Sequence, residues 1–225
     1  MKRSEINRAI KKLEALAQEN GFHLPPFCHW TPAAWAEKGA ACDEIRDNML
    51  GWDVTDYGEG HYNTLGLALI TIRNGNAGNS KYDKSYAEKL IMSEENQISP
   101  MHFHFNKMED IINRGGGNLV MRLYNANTDG SFADSDVAYQ SDGVACVVPA
   151  GSVITLLPGE SITLTPGLYH EFWAEEGKGT VLIGEVSQTN DDNTDNRFYE
   201  PLARFSSVEE DEAPYRLLCN EYPQQ

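Results

Sequence analysis

Three histidines and a glutamate carry the chemistry that this chain announces. In Pro100-Met101-His102-Phe103-His104-Phe105-Asn106-Lys107-Met108-Glu109, the two histidines are two residues apart. On an extended strand such a pair projects to one side, leaving Met101, Phe103 and Phe105 on the other. Two imidazoles placed so can grip one ion. Glu109 follows across a connection short enough to turn back, adding an anionic oxygen to borderline nitrogens, and a third histidine stands at Pro166-Gly167-Leu168-Tyr169-His170. Three nitrogens and one carboxylate leave coordination positions open for a substrate. A His-x-His pair by itself is also met as two ordinary surface or core imidazoles, so the four residues must be shown to converge.

Two further positions bear on reactivity. Glu185 lies in the apolar run Thr180-Val181-Leu182-Ile183-Gly184-Glu185-Val186 and by period-two counting shares a face with Val181 and Ile183. A carboxylate there is costly to bury unless it is paired or used. Lys89, in Tyr86-Ala87-Glu88-Lys89-Leu90-Ile91-Met92, alternates on a strand just before the histidine strand and, facing inward, would donate to a substrate oxygen. The alternative for each is an edge residue turned to water; Lys107 is equally readable as a loop-tip lysine. From Glu185 to Phe198 the chain is dense in carboxylates and amides, with Asp195 among them. Such groups suit hydroxyl-rich ligands, although an ordinary Asx-rich turn has the same composition.

The elements that must position these residues are mostly strands. From about Trp52 the periodicity is two, with expected strands at 52–57, 65–73, 87–93, 100–105, 109–113, 119–125, 144–148, 153–157, 161–165, 170–174 and 180–186. Residues 127–141 read as a polar surface excursion. Ahead of the strands, Ser4 is placed to cap a helix with an Ile6, Ile10, Leu13, Ala17 stripe, closed by Asn20-Gly21. Thr31 and Pro32 open a shorter helix ending near Gly39. Trp30, Trp35 and Pro25-Pro26 would lay this arm over the strands, or line a pocket or subunit interface.

Composition narrows the function. A chain of 225 residues with no linker-like stretch is expected to form one β-rich domain: an arm at 1–50, a barrel at 51–200 and a tail at 201–225 that packs on the barrel or a partner. A formal net charge of -16 argues against nucleic acid and anionic membranes and favours a small neutral substrate. The longest apolar runs are strand-sized and the amino terminus is charged, which reads as a cytoplasmic protein. The 4 cysteines, Cys28, Cys42, Cys146 and Cys219, have no metal-type spacing and read as reduced thiols, with Cys146 in the core.

The run from Pro100 to Gly117 and the segment from Pro158 to His170 resemble the paired motifs of the cupin superfamily, an antiparallel β-barrel or jelly roll. The first motif of that superfamily contributes His, His and Glu, and the second a His three residues after a glycine. The resemblance carries metal-ligand roles to His102, His104, Glu109 and His170. One departure is that Thr165 stands where the superfamily usually has proline, with the proline adjacent at Pro166. Taken with Tyr86 to Lys89 and Glu185 to Phe198, the chain is similar over nearly its whole length to the cupin D-lyxose ketol-isomerases. That likeness implies a manganese-dependent homodimer converting D-lyxose to D-xylulose and D-mannose to D-fructose; cobalt, iron(II) or zinc would also suit the donor set. It further implies metal chelation of O1 and O2, proton transfer through a cis-enediol by Glu185 with Lys89 assisting at oxygen, and substrate contacts from Lys89, Lys107, Glu185 and Asp195. The competing readings are a cupin dioxygenase or decarboxylase, and a non-catalytic sugar-binding cupin.

Overall fold

The computed structural model describes residues 1–192 and 194–223. The described strands form two antiparallel sheets. The larger runs in the order β1 (Gly51–Thr55), β2 (Leu67–Arg73), β3 (Tyr86–Ser93), β12 (Val181–Gln188), β5 (Glu109–Gly116), β10 (Ser161–Leu164), β7 (Val137–Ser141), β8 (Val144–Val148). The smaller runs β13 (Asn196–Phe198), β4 (Ser99–His104), β11 (Leu168–Ala174), β6 (Leu119–Asn125), β9 (Val153–Leu156). Leu69, Ile91, Ile111 and Ile183 of the larger sheet pack with Leu119, Met121, Leu123 and Phe172 of the smaller, so one core lies between the sheets. This is the expected cupin-type β-barrel.

Alternation along β2, β3 and β12 explains why these strands read as unbroken apolar runs. Leu69, Ile91 and Ile183 face the core, while Ala68, Ile70, Leu90, Met92 and Leu182 face a second cluster on the outer side. Both faces are buried. The outer cover is α1 (Arg3–Glu19), whose Ile6, Ile10, Leu13 and Ala17 are fully buried, as the 3.6-residue stripe requires. Burying each of the larger side chains contributes roughly 1.5–3 kcal/mol. The helix starts earlier than expected. Lys2 is its N-cap, with its backbone N–H donating to Glu5 at 2.9 Å, and the Ser4 hydroxyl donates instead to Asp211 at 2.7 Å.

The arm and the tail hold each other against the barrel. In α2 (Pro32–Ala36), capped by Thr31, Trp35 stacks on Tyr222 at 3.9 Å, and Trp30 meets the Trp35 edge at 5.1 Å. The helix ends at Ala36 rather than near Gly39. The Cys219 N–H donates to Trp52 O at 2.7 Å, and Arg3 pairs with both Glu210 and Glu221. The tail is thereby seated on β1, where it can deliver residues to the barrel mouth.

Elements not foreseen include β7 within the presumed excursion, the three-residue β13, and α3 (Asp43–Asp47). All are short; β7 forms a tight hairpin with β8 across Asp142-Gly143, a local signal passed over within a polar run, whereas β13 exists through pairing with the distant β4. Cys146 also departs from expectation. It lies on edge strand β8, where Val144 and Val147 are 64% and 66% exposed, so it is only half-buried and not a core residue. The apolar composition of β8 reflects strand propensity without burial. Among the described residues no helix is long and apolar enough to cross a membrane.

Because α1 covers the larger sheet through tightly packed aliphatics, Leu13→Ala should lower stability by about 2–5 kcal/mol. Thermal and urea unfolding would report it, and a change under 1 kcal/mol would show the helix to be dispensable cover.

Candidate active site

The predicted ligands converge at one mouth of the barrel. His102 and His104 sit on β4, and His170 on the adjacent β11 is the register partner of His102. Placement of His170 depends on the turn before it. Pro166 and Gly167 occupy its centre, Leu168 N donates to Thr165 O at 3.1 Å, and Gly167 has φ +79°, a conformation that glycine adopts without strain. The Pro-Gly pair thus makes a tight turn directly into β11 despite the displaced proline. The ligand nitrogens of the three histidines lie within 4.8 Å of one another. Glu109 opens β5 in the facing sheet, and its Oε1 is 3.3 Å from Nε2 of both His104 and His170.

Hydrogen bonding points the imidazoles inward. Nδ1 of His102 donates to Pro100 O at 2.8 Å and Nδ1 of His170 donates to Leu168 O at 3.0 Å. A carbonyl only accepts, so Nδ1 carries the proton and Nε2 presents its lone pair. Nε2 of His104 and of His170 are buried and, beyond the Glu109 Oε1 contact at 3.3 Å, have no hydrogen-bond partner, which suits them to ligate an ion. Burial, then the neighbouring His170 and His104, holds His102 well below the usual imidazole range; burial likewise lowers His104. Both are therefore neutral and able to ligate at neutral pH. Three imidazole nitrogens and a carboxylate fit a divalent ion such as manganese, iron(II), cobalt or zinc.

From Glu109 a ladder of alternating charge crosses the larger sheet. Lys107 Nζ lies 2.7 Å from Glu109 Oε2 and 2.9 Å from Glu185 Oε1. Lys89 Nζ, paired in register with Glu185, is 3.4 Å from the same Oε1 and 3.6 Å from Asp192 Oδ1. Arg204 Nη2 then joins Asp192 at 3.2 Å to Asp53 at 2.6 Å. Asn190 Oδ1 accepts from both lysines, at 2.9 and 3.1 Å. Every rung is largely or wholly buried, so each charge must be matched. Burial opposes the charge on Lys107, but Glu109 and then Glu185 outweigh it and hold the ammonium above the ordinary lysine range. Burial similarly opposes ionisation of Glu109 and Asp192; Lys107 in one case and Arg204 in the other keep them well below the usual carboxylate range.

Glu185, Lys89 and Lys107 face inward beside the histidines, and Lys107, equally readable as a surface lysine, is only 3% exposed. Asp195 does not line the cavity. Its carboxylate accepts from the backbone N–H of Asn106 at 2.8 Å and of Lys107 at 3.0 Å, clamping the connection between His104 and Glu109. Asp192, three residues earlier, lines it instead. Arg204, Asp53 and Asn190 were not anticipated. The partners Arg204 and Asp53 lie 151 residues apart, and no local pattern signals such a pair.

Barrel, imidazole cluster and inward carboxylate define a cupin-type protein whose mouth gathers three histidines that could hold a metal ion. A family model described as D-lyxose isomerase matches residues 1–222. The chain is 49% identical over 223 residues to the D-lyxose/D-mannose isomerase of Serratia proteamaculans, covering 99% of this chain and 98% of that protein. It is 49% identical over 225 residues to the D-lyxose/D-mannose isomerase of Escherichia coli O157:H7, covering 100% of this chain and 99% of that one. This chain belongs to the D-lyxose isomerase family. Its fold is shared with the L-ribose isomerase of Cellulomonas parahominis solved with L-ribose, at a TM-score of 0.61 and 14% identity over 93% of this chain and 98% of that one.

The lowered groups fix the sign of the pH response. A depressed imidazole or carboxylate binds fewer protons folded than unfolded, so its contribution is present above the unfolded value and lost as pH falls towards the folded one. Metal-free protein should hold its stability above neutrality, weaken below about pH 6.5 as His102 and His104 resist protonation, and weaken further below about 4.5 through Glu109. Calorimetry across this range would contradict the assignment if the midpoint rose on acidification.

Proposed function

We propose that this protein interconverts D-lyxose and D-xylulose, and D-mannose and D-fructose, as a manganese-dependent aldose–ketose isomerase working as a cytoplasmic homodimer. The observation that carries the reading is Glu185, a buried carboxylate lining the same cavity as His102, His104 and His170 from the facing sheet, in a chain of this family. When bound, a divalent ion held by the three histidines and Glu109 supplies Lewis-acid polarisation of adjacent sugar oxygens. The protein's own residues then handle protons.

In the forward direction Glu185 takes the proton from C2 and returns it to C1 on the same face of a cis-enediol, while one proton moves from O2 to O1. Both cation contacts of Glu185 engage Oε1, which leaves Oε2 as the oxygen to meet the C–H proton. Lys107, between Glu109 and Glu185, orients the base and compensates negative charge as it develops on the sugar. Lys89 is held by Asn190 and donates at substrate oxygen. The enclosure of the cavity by Leu69, Ile91, Ile111 and Phe172 lowers the local dielectric, strengthening each of these contacts. Asp195 supports the site indirectly, by fixing the loop that presents Lys107 and Glu109.

Wild-type protein charged with manganese should form ketose from D-lyxose and from D-mannose, and Glu185→Gln should retain the ion while losing about 10²–10⁴-fold in kcat. Undiminished turnover of the variant would remove Glu185 as the base. In D₂O the product should take up solvent deuterium at C1; complete retention of the substrate hydrogen would point to hydride transfer between the two carbons.

A further inference from the structure

We infer that Arg204 is a specificity-determining residue, its unpartnered Nη1 donating a hydrogen bond to a sugar hydroxyl beyond C2. This rests on the isomerase reading above and extends it to the remote end of the substrate. Arg204 comes from the tail, outside the strands, yet lines the same cavity as His102, Glu185 and Lys107. Its Nη2 is fixed by Asp53 at 2.6 Å and Asp192 at 3.2 Å, and its guanidinium lies 4.8 Å from the Phe205 ring centroid. Nη1 is buried and has no hydrogen-bond partner.

A guanidinium held on one arm is already ordered, so little conformational freedom remains to be lost when the other arm finds an acceptor. Buried donors are nearly always satisfied, and one without a partner on a side chain that lines the cavity points to a ligand oxygen as its acceptor. A sugar hydroxyl offers that oxygen without the full charge that the neighbouring carboxylates would repel. Three ion pairs, Glu185 to Lys89 to Asp192 to Arg204, separate the guanidinium from the base. That spacing assigns it to the part of the sugar away from C1 and C2. D-Lyxose and D-mannose agree in configuration at C2, C3 and C4, so one donor aimed at that region would accept both.

The test is a cycle between side chain and hydroxyl. Arg204→Gln and Arg204→Lys are compared with wild type on D-lyxose and on its 3-, 4- and 5-deoxy analogues, with ion content and thermal midpoint recorded for each protein. With D-lyxose, Arg204→Gln should lower kcat/KM about 10- to 100-fold, the range for losing a hydrogen bond from a charged donor, chiefly through KM. On one deoxy analogue that penalty should shrink to about 3-fold or less. Arg204→Lys keeps a cation between Asp53 and Asp192 while removing the second arm, so it carries the same test if the glutamine variant folds poorly. An equal penalty on all four sugars would mean that Arg204 merely docks the tail, and would overturn the proposal while leaving the isomerase reading intact. Wild-type protein inactive on D-lyxose would overturn that reading and the proposal with it.

Discussion

Matching of buried charge is the constraint on which this site depends. Glu109, Lys107, Glu185, Lys89, Asp192, Arg204 and Asp53 are withdrawn from solvent in an alternating sequence. An isolated charge in such surroundings would lose its ionisation or unfold its environment, whereas each member here has at least one opposite charge beside it and the inner members have two. Removing one from the middle strands two neighbours. The ladder therefore fixes positions as firmly as a packed core does, and it ends at three clustered imidazoles, of which His102 and His104 are kept neutral by burial. The charge order and the ligand set are one structure, joined at Glu109, which offers Oε1 to the histidines and Oε2 to Lys107.

The rest of the fold can be understood as what holds that arrangement in place. β4 and β11 bring His102 beside His170, while β3 and β12 bring Lys89 beside Glu185 in register. Along each inward face aliphatic residues give way to charged ones at the mouth: Ile91 to Lys89, Ile183 to Glu185, Ile111 to Glu109. A core and an active site are thus built from the same alternation, one residue pair apart. The helix α1 and the tail press on the outside of these strands, and the tail also inserts Arg204. Stability and function meet in that segment, because what seats the tail on β1 also completes the cavity wall.

Legibility in the sequence followed the range of the interaction. The His-x-His pair, the turn before His170 and the run around Glu185 are local patterns, and period-two alternation showed which side chains share a face, though not which face is the inner one. The α1 stripe was legible for the same reason. Arg204 with Asp53, and Asn190 between the two lysines, depend on distant segments meeting, for which one chain carries no sign. Asp195 had the right composition and neighbourhood but a different task, since backbone N–H groups of the connection that follows the neighbouring β4 claimed its carboxylate. Cys146 shows the converse, an apolar strand whose pattern suggested burial but whose edge position left it half open.

The central claim is that His102, His104, His170 and Glu109 together hold one ion without which the cavity does no chemistry. Chelator-stripped protein titrated with manganese, with bound ion and ketose formation from D-lyxose followed together, tests it most directly. The account predicts that activity rises in step with occupancy and levels off at one ion per chain, and that His170→Ala abolishes both. Full activity in stripped protein, or saturation unaffected by loss of His170, would contradict it.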